Sequence, residues 1–167
     1  MDFFYNILVT GCSSGLGKAL FNEVHSHDHL RAFAHYRSMT ADPFALYGDV
    51  NDFDFPDKLD EFIRTRQIEC FINNAGVYEG NVLETNLLSQ VKMLQVVYEY
   101  FAEQKKGRII NINSLAGINP TAGESLYCAS KFGLKGFSQS LQLEAIGSGV
   151  EITDVYLGGV QTRMTEG

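Results

Sequence analysis

The strongest constraint on the fold of this chain is the alternation of short apolar segments with longer segments of helical periodicity. The apolar segments predict strands at 6–10, 32–36, 45–47, 70–73, 108–112 and 151–156. Apolar residues at helical spacing predict helices at 15–25, 57–66, 83–103 and 125–146. Because strands that alternate with helices pair in parallel through right-handed crossovers, we predict an α/β fold of the Rossmann type. We expect a doubly wound parallel sheet of about six strands, with helices on both faces in three α/β/α layers.

Length and charge limit the possible functions. The chain has 167 residues, enough to bury a core, and we interpret residues 1–167 as a single domain. A formal net charge of −7 disfavours nucleic acid and anionic membranes as partners. The sequence has no apolar run near the roughly 20 residues that span a bilayer, and its first residues lack the basic start of a secretory signal. We therefore expect a cytoplasmic protein.

Cysteine and histidine positions favour neither disulfide bonds nor a metal site. Cys12, Cys70 and Cys128 lie far apart in sequence and form no CxxC pair. The alternating histidines of 25–29 could bind a transition metal from one side of an extended segment. This segment lies between the first predicted helix and the second predicted strand, at the sheet end opposite a ligand. We interpret it as a solvated turn and predict no bound metal.

A glycine-rich loop separates the first predicted strand from the first predicted helix. Gly11 permits a tight turn, Gly15 allows a pyrophosphate to approach closely, and Gly17 lets the helix pack against the sheet. The helix N-terminus presents free N–H groups and the positive end of its dipole to phosphates. Cys12 is either a redox-active thiol or a small loop residue, and we favour the second interpretation. The predicted loop contacts with a dinucleotide are Gly11, Ser13, Ser14, Gly15, Leu16 and Gly17.

The end of the second predicted strand distinguishes NADP(H) from NAD(H). A carboxylate at this position accepts hydrogen bonds from the ribose 2′-OH of NAD, but this chain has Arg37 and Ser38. The planar guanidinium of Arg37 can pair with a phosphate, and the Ser38 hydroxyl can add a hydrogen bond. We therefore predict NADP(H), with NAD(H) as the less favoured cofactor. In the alternative, Arg37 stacks on the adenine, which would allow either cofactor.

Tyr127 and Lys131 form the candidate catalytic pair. They are four residues apart on one predicted helix, so their side chains share a face. A free tyrosine has a pKa of about 10, which is too high for efficient proton transfer near neutrality. A neighbouring ammonium stabilises the phenolate, so we expect Lys131 to lower the pKa of Tyr127. Without further motifs, a half-buried aromatic residue beside a solvated lysine would be the simpler interpretation.

Five motifs in order along the chain resemble the classical short-chain dehydrogenase/reductase family. The glycine loop is preceded by Thr10 and has glycines spaced three and then one residue apart, as in that family. The other four motifs are the acidic pair Asp49-Val50, the segment Asn73-Asn74-Ala75-Gly76, Ser114 followed by Tyr127-Cys128-Ala129-Ser130-Lys131, and Gly158-Gly159-Val160-Gln161-Thr162. The resemblance covers almost the whole chain, from Thr10 to Thr162.

The resemblance implies specific roles for the site residues. In the family, the tyrosine transfers the proton, the serine orients the substrate oxygen, and the lysine also binds the nicotinamide ribose. These positions are Tyr127, Ser114 and Lys131 here. The aspartate corresponding to Asp49 meets the adenine, and the segment after the last strand supports the nicotinamide. The cofactor contacts implied beyond the glycine loop are Arg37, Ser38, Asp49, Val50, Asn74, Ala75, Gly76, Tyr127, Lys131, Gly158, Val160 and Thr162.

Asn86 is the candidate for a fourth catalytic residue. It resembles the family asparagine that kinks a helix and relays protons through water. The stretch from Gly76 to Asn86 is shorter than is usual in the family, and Asn81 is a competing candidate. Either asparagine would also suit a helix-capping role. We prefer Asn86, because the residues that follow it begin a helix as in the family.

The implied function is that of an NADP(H)-dependent oxidoreductase. Hydride would pass between the nicotinamide and a carbonyl or alcohol substrate, with Tyr127 as the general acid or base. One alternative is a non-catalytic NADP(H)-binding module or regulatory subunit on the same fold. Another is an epimerase or dehydratase of the extended branch, which shares the tyrosine–lysine motif but usually has other glycine spacing.

The resemblance also implies an assembly. In the family, two long helices pair across a dimer axis, and here these run from Leu83 to Glu103 and from Ser125 to Ile146. We therefore expect a homodimer or homotetramer. Family members continue after the segment corresponding to Thr162 with a substrate-covering loop, a helix and a seventh strand. Because this sequence does not contain them, we expect a more open substrate site.

Overall fold

Parallel strands form the centre of the molecule in the computed structural model, which describes residues 4–158. The strands of this part of the chain are β1 (Tyr5–Val9), β2 (Leu30–Tyr36), β3 (Leu46–Tyr47), β4 (Cys70–Asn73), β5 (Gly107–Ser114) and β6 (Val150–Leu157). They form one sheet in the order β3-β2-β1-β4-β5-β6, and every neighbouring pair is parallel. The predicted Rossmann-type sheet is therefore confirmed.

Helices and short helical turns connect the strands. The helices are α1 (Gly15–His25), α2 (Phe55–Thr65), α3 (Ser89–Gln104) and α4 (Ser125–Glu144). A π-helical turn, Glu84–Leu88, precedes α3, and a 3₁₀ turn, Leu115–Gly117, follows β5. Within residues 4–158, no helix has the length and apolar character needed to cross a membrane.

The two faces of the sheet carry separate apolar cores. Alternate residues of a strand point to opposite faces, so Leu8 of β1 joins the core with α2, α3 and α4, while Val9 joins the core with α1. Phe71 of β4 is on the first face and Ile72 is on the second. Because both faces are covered, the central strands β1 and β4 contain continuous apolar runs rather than alternating ones. The result is the predicted three-layer arrangement.

Two helices begin at positions that differ from the sequence-based predictions. The helix predicted at 83–103 is interrupted, because 84–88 adopts π-helical geometry before α3 begins at Ser89. The helix predicted from 57 begins at Phe55, with Pro56 in its first turn. Proline is tolerated there because the backbone N–H that it lacks would have no hydrogen-bond partner within the helix. Periodicity alone cannot locate either feature, because both depend on local backbone geometry.

The topology fixes where a ligand can bind. The chain leaves β1 toward β2 and β3 on one side, then crosses to β4 and continues to β5 and β6 on the other. The connections after β1 and β4 therefore diverge at the carboxyl end of the sheet. A crevice at this switch point is the usual ligand site of a doubly wound sheet.

Candidate active site

A cavity of about 580 Å³ lies at the switch point and contains most of the predicted site residues. The predicted residues that line it are Gly11, Ser13, Ser14, Gly15, Leu16, Gly17, Arg37, Asp49, Val50, Asn74, Ala75, Gly76, Asn86, Ser114, Tyr127, Lys131 and Gly158. Ser38 is exposed and lies outside the described lining. Val160 and Thr162 lie outside the residues that the structure describes. Sequence positions that are far apart therefore meet around one cavity.

The glycine loop has the close packing that a phosphate-binding turn requires. Gly11 has a φ of +74°, and a Cβ there would lie 2.9 Å from the Ala75 Cα. A Cβ on Gly17 would overlap the Gly11 carbonyl oxygen. These positions accept only glycine without a backbone shift. The loop leads directly into α1, and the first residues of this helix line the cavity. Because a helix N-terminus has free N–H groups, the residues present fit a dinucleotide pyrophosphate.

Thr10 joins the loop after β1 to the loop after β4. Its Oγ1 accepts hydrogen bonds from the backbone N–H groups of Asn74, at 2.9 Å, and Ala75, at 3.0 Å. The Asn74 side-chain amide donates to the Thr10 carbonyl oxygen at 2.8 Å. Asn74 was predicted to contact the cofactor, whereas Thr10 was not predicted to be a site residue. The only signal in the sequence was position, because Thr10 follows β1 and immediately precedes Gly11.

The Asn86 side chain is bonded to the loop that follows β4. Its Oδ1 accepts from the Val77 N–H at 2.8 Å, and its Nδ2 donates to the Val77 carbonyl at 2.6 Å. Asn86 is 1% exposed and lies in the π-helical turn, where the chain departs from regular helix. Asn81, the competing candidate, is exposed in the preceding loop. Of the two candidates, Asn86 is therefore the one that lines the cavity.

β5 and α4 bring Ser114, Tyr127 and Lys131 to one wall of the cavity. Ser114 ends β5, Tyr127 lies in the first turn of α4, and Lys131 follows one turn later. Asn113 connects the two elements, since its Oδ1 accepts from the Ser114 N–H at 2.8 Å and its Nδ2 donates to the Lys131 carbonyl at 3.3 Å. Asn113 was not among the predicted site residues, although it lies beside Ser114 in the sequence.

The electrostatics of the tyrosine–lysine pair differ from the expectation. Burial raises the pKa of the Tyr127 phenol, the neighbouring Ser114 side chain acts in the opposite direction, and the Glu124 carboxylate adds to the rise. Burial lowers the pKa of Lys131 to about 8. The expected net lowering of the Tyr127 pKa is therefore wrong in this structure. The physical reason is that both groups are removed from water, which disfavours charge on each of them.

Two further side chains stand beside Tyr127. The Tyr78 ring centroid lies 5.1 Å from the Tyr127 ring centroid, and Tyr78 and Glu124 both line the cavity. Neither was predicted from the sequence. Tyr78 follows β4 by a few residues and Glu124 immediately precedes α4, so the topology places both at the carboxyl end of the sheet. They form part of the wall that a substrate would meet.

The turn after β3 forms another part of the lining. Asp49 Oδ1 accepts from the Asn51 N–H at 3.0 Å, and the Asp49 N–H donates to Asp52 Oδ2 at 3.3 Å. The Asp49 carboxylate thus orders its own turn as well as lining the cavity. Arg37 follows β2 and lines the same cavity with an exposed side chain.

Comparisons with known proteins give one family for this chain. The model of the short chain dehydrogenase family matches residues 5–167. The chain is 31% identical to the 3-oxoacyl-[acyl-carrier-protein] reductase FabG of Haemophilus influenzae, over 95% of this chain and 75% of that protein. It is 30% identical to FabG of Escherichia coli, over 95% of this chain and 74% of that protein.

Solved structures have the same fold. A short-chain dehydrogenase from Streptomyces avermitilis matches with a TM-score of 0.85 and 23% identity, over 96% of this chain and 68% of that one. The F189W actinorhodin polyketide ketoreductase with NADPH matches with a TM-score of 0.82 and 25% identity, over 98% of this chain and 74% of that one. With the matched family model and the identity to the two reductases, these findings show that the chain belongs to the short-chain dehydrogenase/reductase family of oxidoreductases.

Proposed function

We propose that this protein is an NADP(H)-dependent oxidoreductase that transfers hydride between the nicotinamide and a carbonyl or alcohol substrate. The observation that carries the proposal is the meeting of Ser114, Tyr127 and Lys131 in the cavity that also contains the glycine loop. A cofactor bound by that loop and a substrate beside Tyr127 would share one space. Relatives at about 30% identity are 3-oxoacyl-[acyl-carrier-protein] reductases, which supports a carbonyl substrate.

The preference for NADP(H) depends on Arg37. Its guanidinium follows β2 on the cavity lining, where a fork of N–H donors suits the 2′-phosphate. The related ketoreductase was solved with NADPH, which supports the same cofactor class. The residues that would bind the rest of the cofactor are the loop glycines and the N-terminus of α1 for the pyrophosphate, and Asp49 for the adenine.

The chain itself would supply the proton and orient the substrate. When bound, the nicotinamide supplies or accepts the hydride. Tyr127 would donate the phenol proton to the carbonyl oxygen, and the Ser114 hydroxyl would donate a hydrogen bond to the same oxygen. Because burial raises the pKa of Tyr127, the phenol keeps its proton at neutral pH, which is the form needed for carbonyl reduction. Lys131 would bind the nicotinamide ribose.

Asn86 would act as the fourth residue of this group. Its side-chain amide and carbonyl each bond Val77, yet an amide has two hydrogens and its carbonyl oxygen has two lone pairs. The remaining donor and acceptor suit a water-mediated proton relay. The bonds to Val77 would fix the side chain in the π-helical turn while it does so.

Binding and turnover measurements test the proposed function in two stages. NADPH and NADH are first titrated by fluorescence, and we expect NADPH to bind more tightly. Loss of NADPH absorbance is then followed with a panel of carbonyl compounds that includes a 3-oxoacyl thioester. Turnover of any member supports the proposal. Tight NADPH binding without turnover of any member would favour the non-catalytic binding module.

For assembly, we propose a homodimer or homotetramer through α3 and α4. Large apolar side chains on and beside these helices are exposed, including Leu88, Phe132 and Leu143. Burial of such side chains is a driving force for association. Light scattering coupled to size-exclusion chromatography should give a mass of at least twice the 18.6 kDa of one chain. A monomeric mass at micromolar concentration would contradict this proposal.

A further inference from the structure

The His35 side chain connects two loops that line the candidate cofactor cavity. His35 lies in β2 and is 2% exposed, and its ring uses both nitrogens. The Gly11 N–H donates to Nδ1 at 3.2 Å, and Nε2 lies 2.9 Å from the Gly48 carbonyl oxygen. Gly11 belongs to the glycine loop, while Gly48 immediately precedes Asp49. The imidazole therefore spans the pyrophosphate side and the adenine side of the site.

These two contacts determine the protonation state of the ring. The Gly11 N–H can only donate, so Nδ1 must be without a proton, and the Gly48 carbonyl can only accept, so Nε2 carries the hydrogen. The neutral imidazole satisfies both contacts at once. A second proton on Nδ1 would place one N–H group against another, so charging the ring requires the Gly11 contact to break.

The surroundings of the ring favour its neutral form. The Phe55 ring of α2 packs edge-on against it, with centroids 5.1 Å apart and an interplanar angle of 68°. Burial lowers the pKa of His35, while the hydrogen bond to Gly48 and the Asp49 carboxylate act in the opposite direction. Burial is the largest of these effects, so His35 is uncharged at neutral pH. The ring can still accept a proton under acid conditions.

The titratable and charged groups near the ring come from three elements. The glycine loop contributes Cys12, whose N–H donates to the His35 carbonyl at 3.0 Å and whose thiol is neutral because burial raises its pKa to about 11. The turn after β3 contributes Asp49, and the end of β2 contributes the exposed Arg37. α2 contributes the uncharged Phe55. Of these groups, the Asp49 carboxylate favours protonation of the ring.

We infer that His35 is a positioning residue that couples the glycine loop to the Gly48 turn, and that its protonation weakens NADPH binding by releasing Gly11. The effect on NADPH rests on the proposed function. The coupling between His35 and Gly11 is a property of the protein alone and can be measured without any cofactor. Acid conditions would thus reduce cofactor affinity by protonating His35, in addition to the effect of protonating the phosphate monoester of NADPH.

Two variants separate this role from a merely structural one. His35→Asn places an acceptor near the position of Nδ1 and cannot titrate, whereas His35→Leu removes both contacts. At pH 8 we expect the Kd for NADPH to rise about tenfold in His35→Leu, the effect of losing a hydrogen bond to each loop, and to stay within about threefold of wild type in His35→Asn. Melting curves recorded by circular dichroism select the conditions under which both variants are folded.

The pH dependence of binding is the decisive readout for the variants. The phosphate monoester of NADPH itself titrates near pH 6, so wild type and His35→Asn are compared at each pH between 5 and 8. We expect the wild-type Kd to rise at least about threefold more than that of His35→Asn across this range. The same acid-dependent loss in both proteins would overturn the inference.

An NMR titration of ¹⁵N-labelled protein without cofactor tests the coupling directly. We expect the His35 imidazole to show the Nε2–H tautomer at pH 7 and to titrate below the usual value of 6.5, with the Gly11 amide following the same midpoint. An Nδ1–H tautomer, or a Gly11 amide that ignores the His35 titration, would overturn the coupling. No NADPH binding at any pH would overturn the proposed function and the NADPH part of this inference, while the NMR result still decides the coupling.

Discussion

The Lys131 ammonium lies 5.7 Å from the centroid of the Tyr127 ring, one helical turn away on α4. Lys131 is 8% exposed and Tyr127 is half-buried, so the folded chain holds a desolvated cation beside a desolvated phenol. Burial disfavours charge on both, lowering the pKa of Lys131 to about 8 and raising that of Tyr127. Buried ionisable groups that lower the stability of the folded chain are typical of active sites.

Replacing Lys131 should therefore stabilise the protein while it removes activity. The burial that lowers the pKa of Lys131 to about 8 corresponds to a cost of roughly 3 kcal/mol for the charged form at pH 7. Lys131→Met keeps the apolar stem, so we expect urea denaturation without cofactor to give a free energy of unfolding about 2–3 kcal/mol higher. Lys135→Met, one turn further along α4, is the matched control and should change it by less than about 1 kcal/mol. A Lys131→Met protein that is less stable than wild type would contradict this account.

The advantage of Lys131→Met should shrink at alkaline pH. Below about pH 8 the lysine is protonated in both the folded and the unfolded chain, and its cost is fully present. Between pH 8 and roughly 10.5 the folded chain releases the proton while the unfolded chain keeps it. Because the unfolded state then binds more protons, wild-type stability rises with pH relative to the variant. Urea denaturation of both proteins at pH 7, 8, 9 and 10 measures this, and a constant difference across the series would argue against a buried, titrating lysine.

Replacing Arg37 should change the choice between cofactors. If its guanidinium binds the 2′-phosphate, Arg37→Gln should weaken NADPH binding about tenfold and leave NADH binding within about twofold. Arg31→Gln is the matched control, because Arg31 lies at the other end of β2 and contacts Phe4. Fluorescence titration of each protein with each cofactor provides the comparison. An equal loss for NADPH and NADH would favour stacking of Arg37 on the adenine.

Removing the Thr10 hydroxyl should loosen the connection between the loops after β1 and β4. Thr10→Val keeps the shape of the side chain but leaves the N–H groups of Asn74 and Ala75 without their acceptor, at a cost of about 2–4 kcal/mol in unfolding free energy. Thr10→Ser keeps the hydroxyl and should cost less than about 1.5 kcal/mol. Urea denaturation gives both values. If the valine and serine variants are equally stable, the hydroxyl does not have this role.

The fold and most of the residues that line the cavity could be predicted from the sequence because they depend on local patterns. The glycines of 11–17, the strand-end position of Ser114 and the helical spacing of Tyr127 and Lys131 are visible without coordinates. Topology then places them together, since the carboxyl ends of parallel strands meet at one edge of the sheet. Only the family resemblance indicated an irregular helix at Asn86, because the π-helical turn there involves side-chain bonds to Val77 that apolar spacing does not reveal.

Residues whose side chains form hydrogen bonds with the backbone of other segments were also not predicted. Thr10, His35 and Asn113 each bond a main-chain group elsewhere in the chain, and residue type alone does not reveal such contacts. The direction of the pKa shift at Tyr127 was wrong for a related reason. Spacing along the helix identifies Lys131 as the neighbour of Tyr127. The degree to which Tyr127 is buried, which raises its pKa, depends instead on how β5 and α4 pack around it.

The central claim, that Tyr127 is the proton donor in this cavity, is tested by the turnover of Tyr127→Phe. With a carbonyl compound that the wild type reduces, we predict that kcat falls at least about 100-fold, while the Kd for NADPH stays within about threefold. Tyr98→Phe, which removes a phenol from the surface of α3 that bonds the Glu144 carbonyl, should leave kcat within about twofold. A Tyr127→Phe protein that turns over at the wild-type rate would contradict the claim.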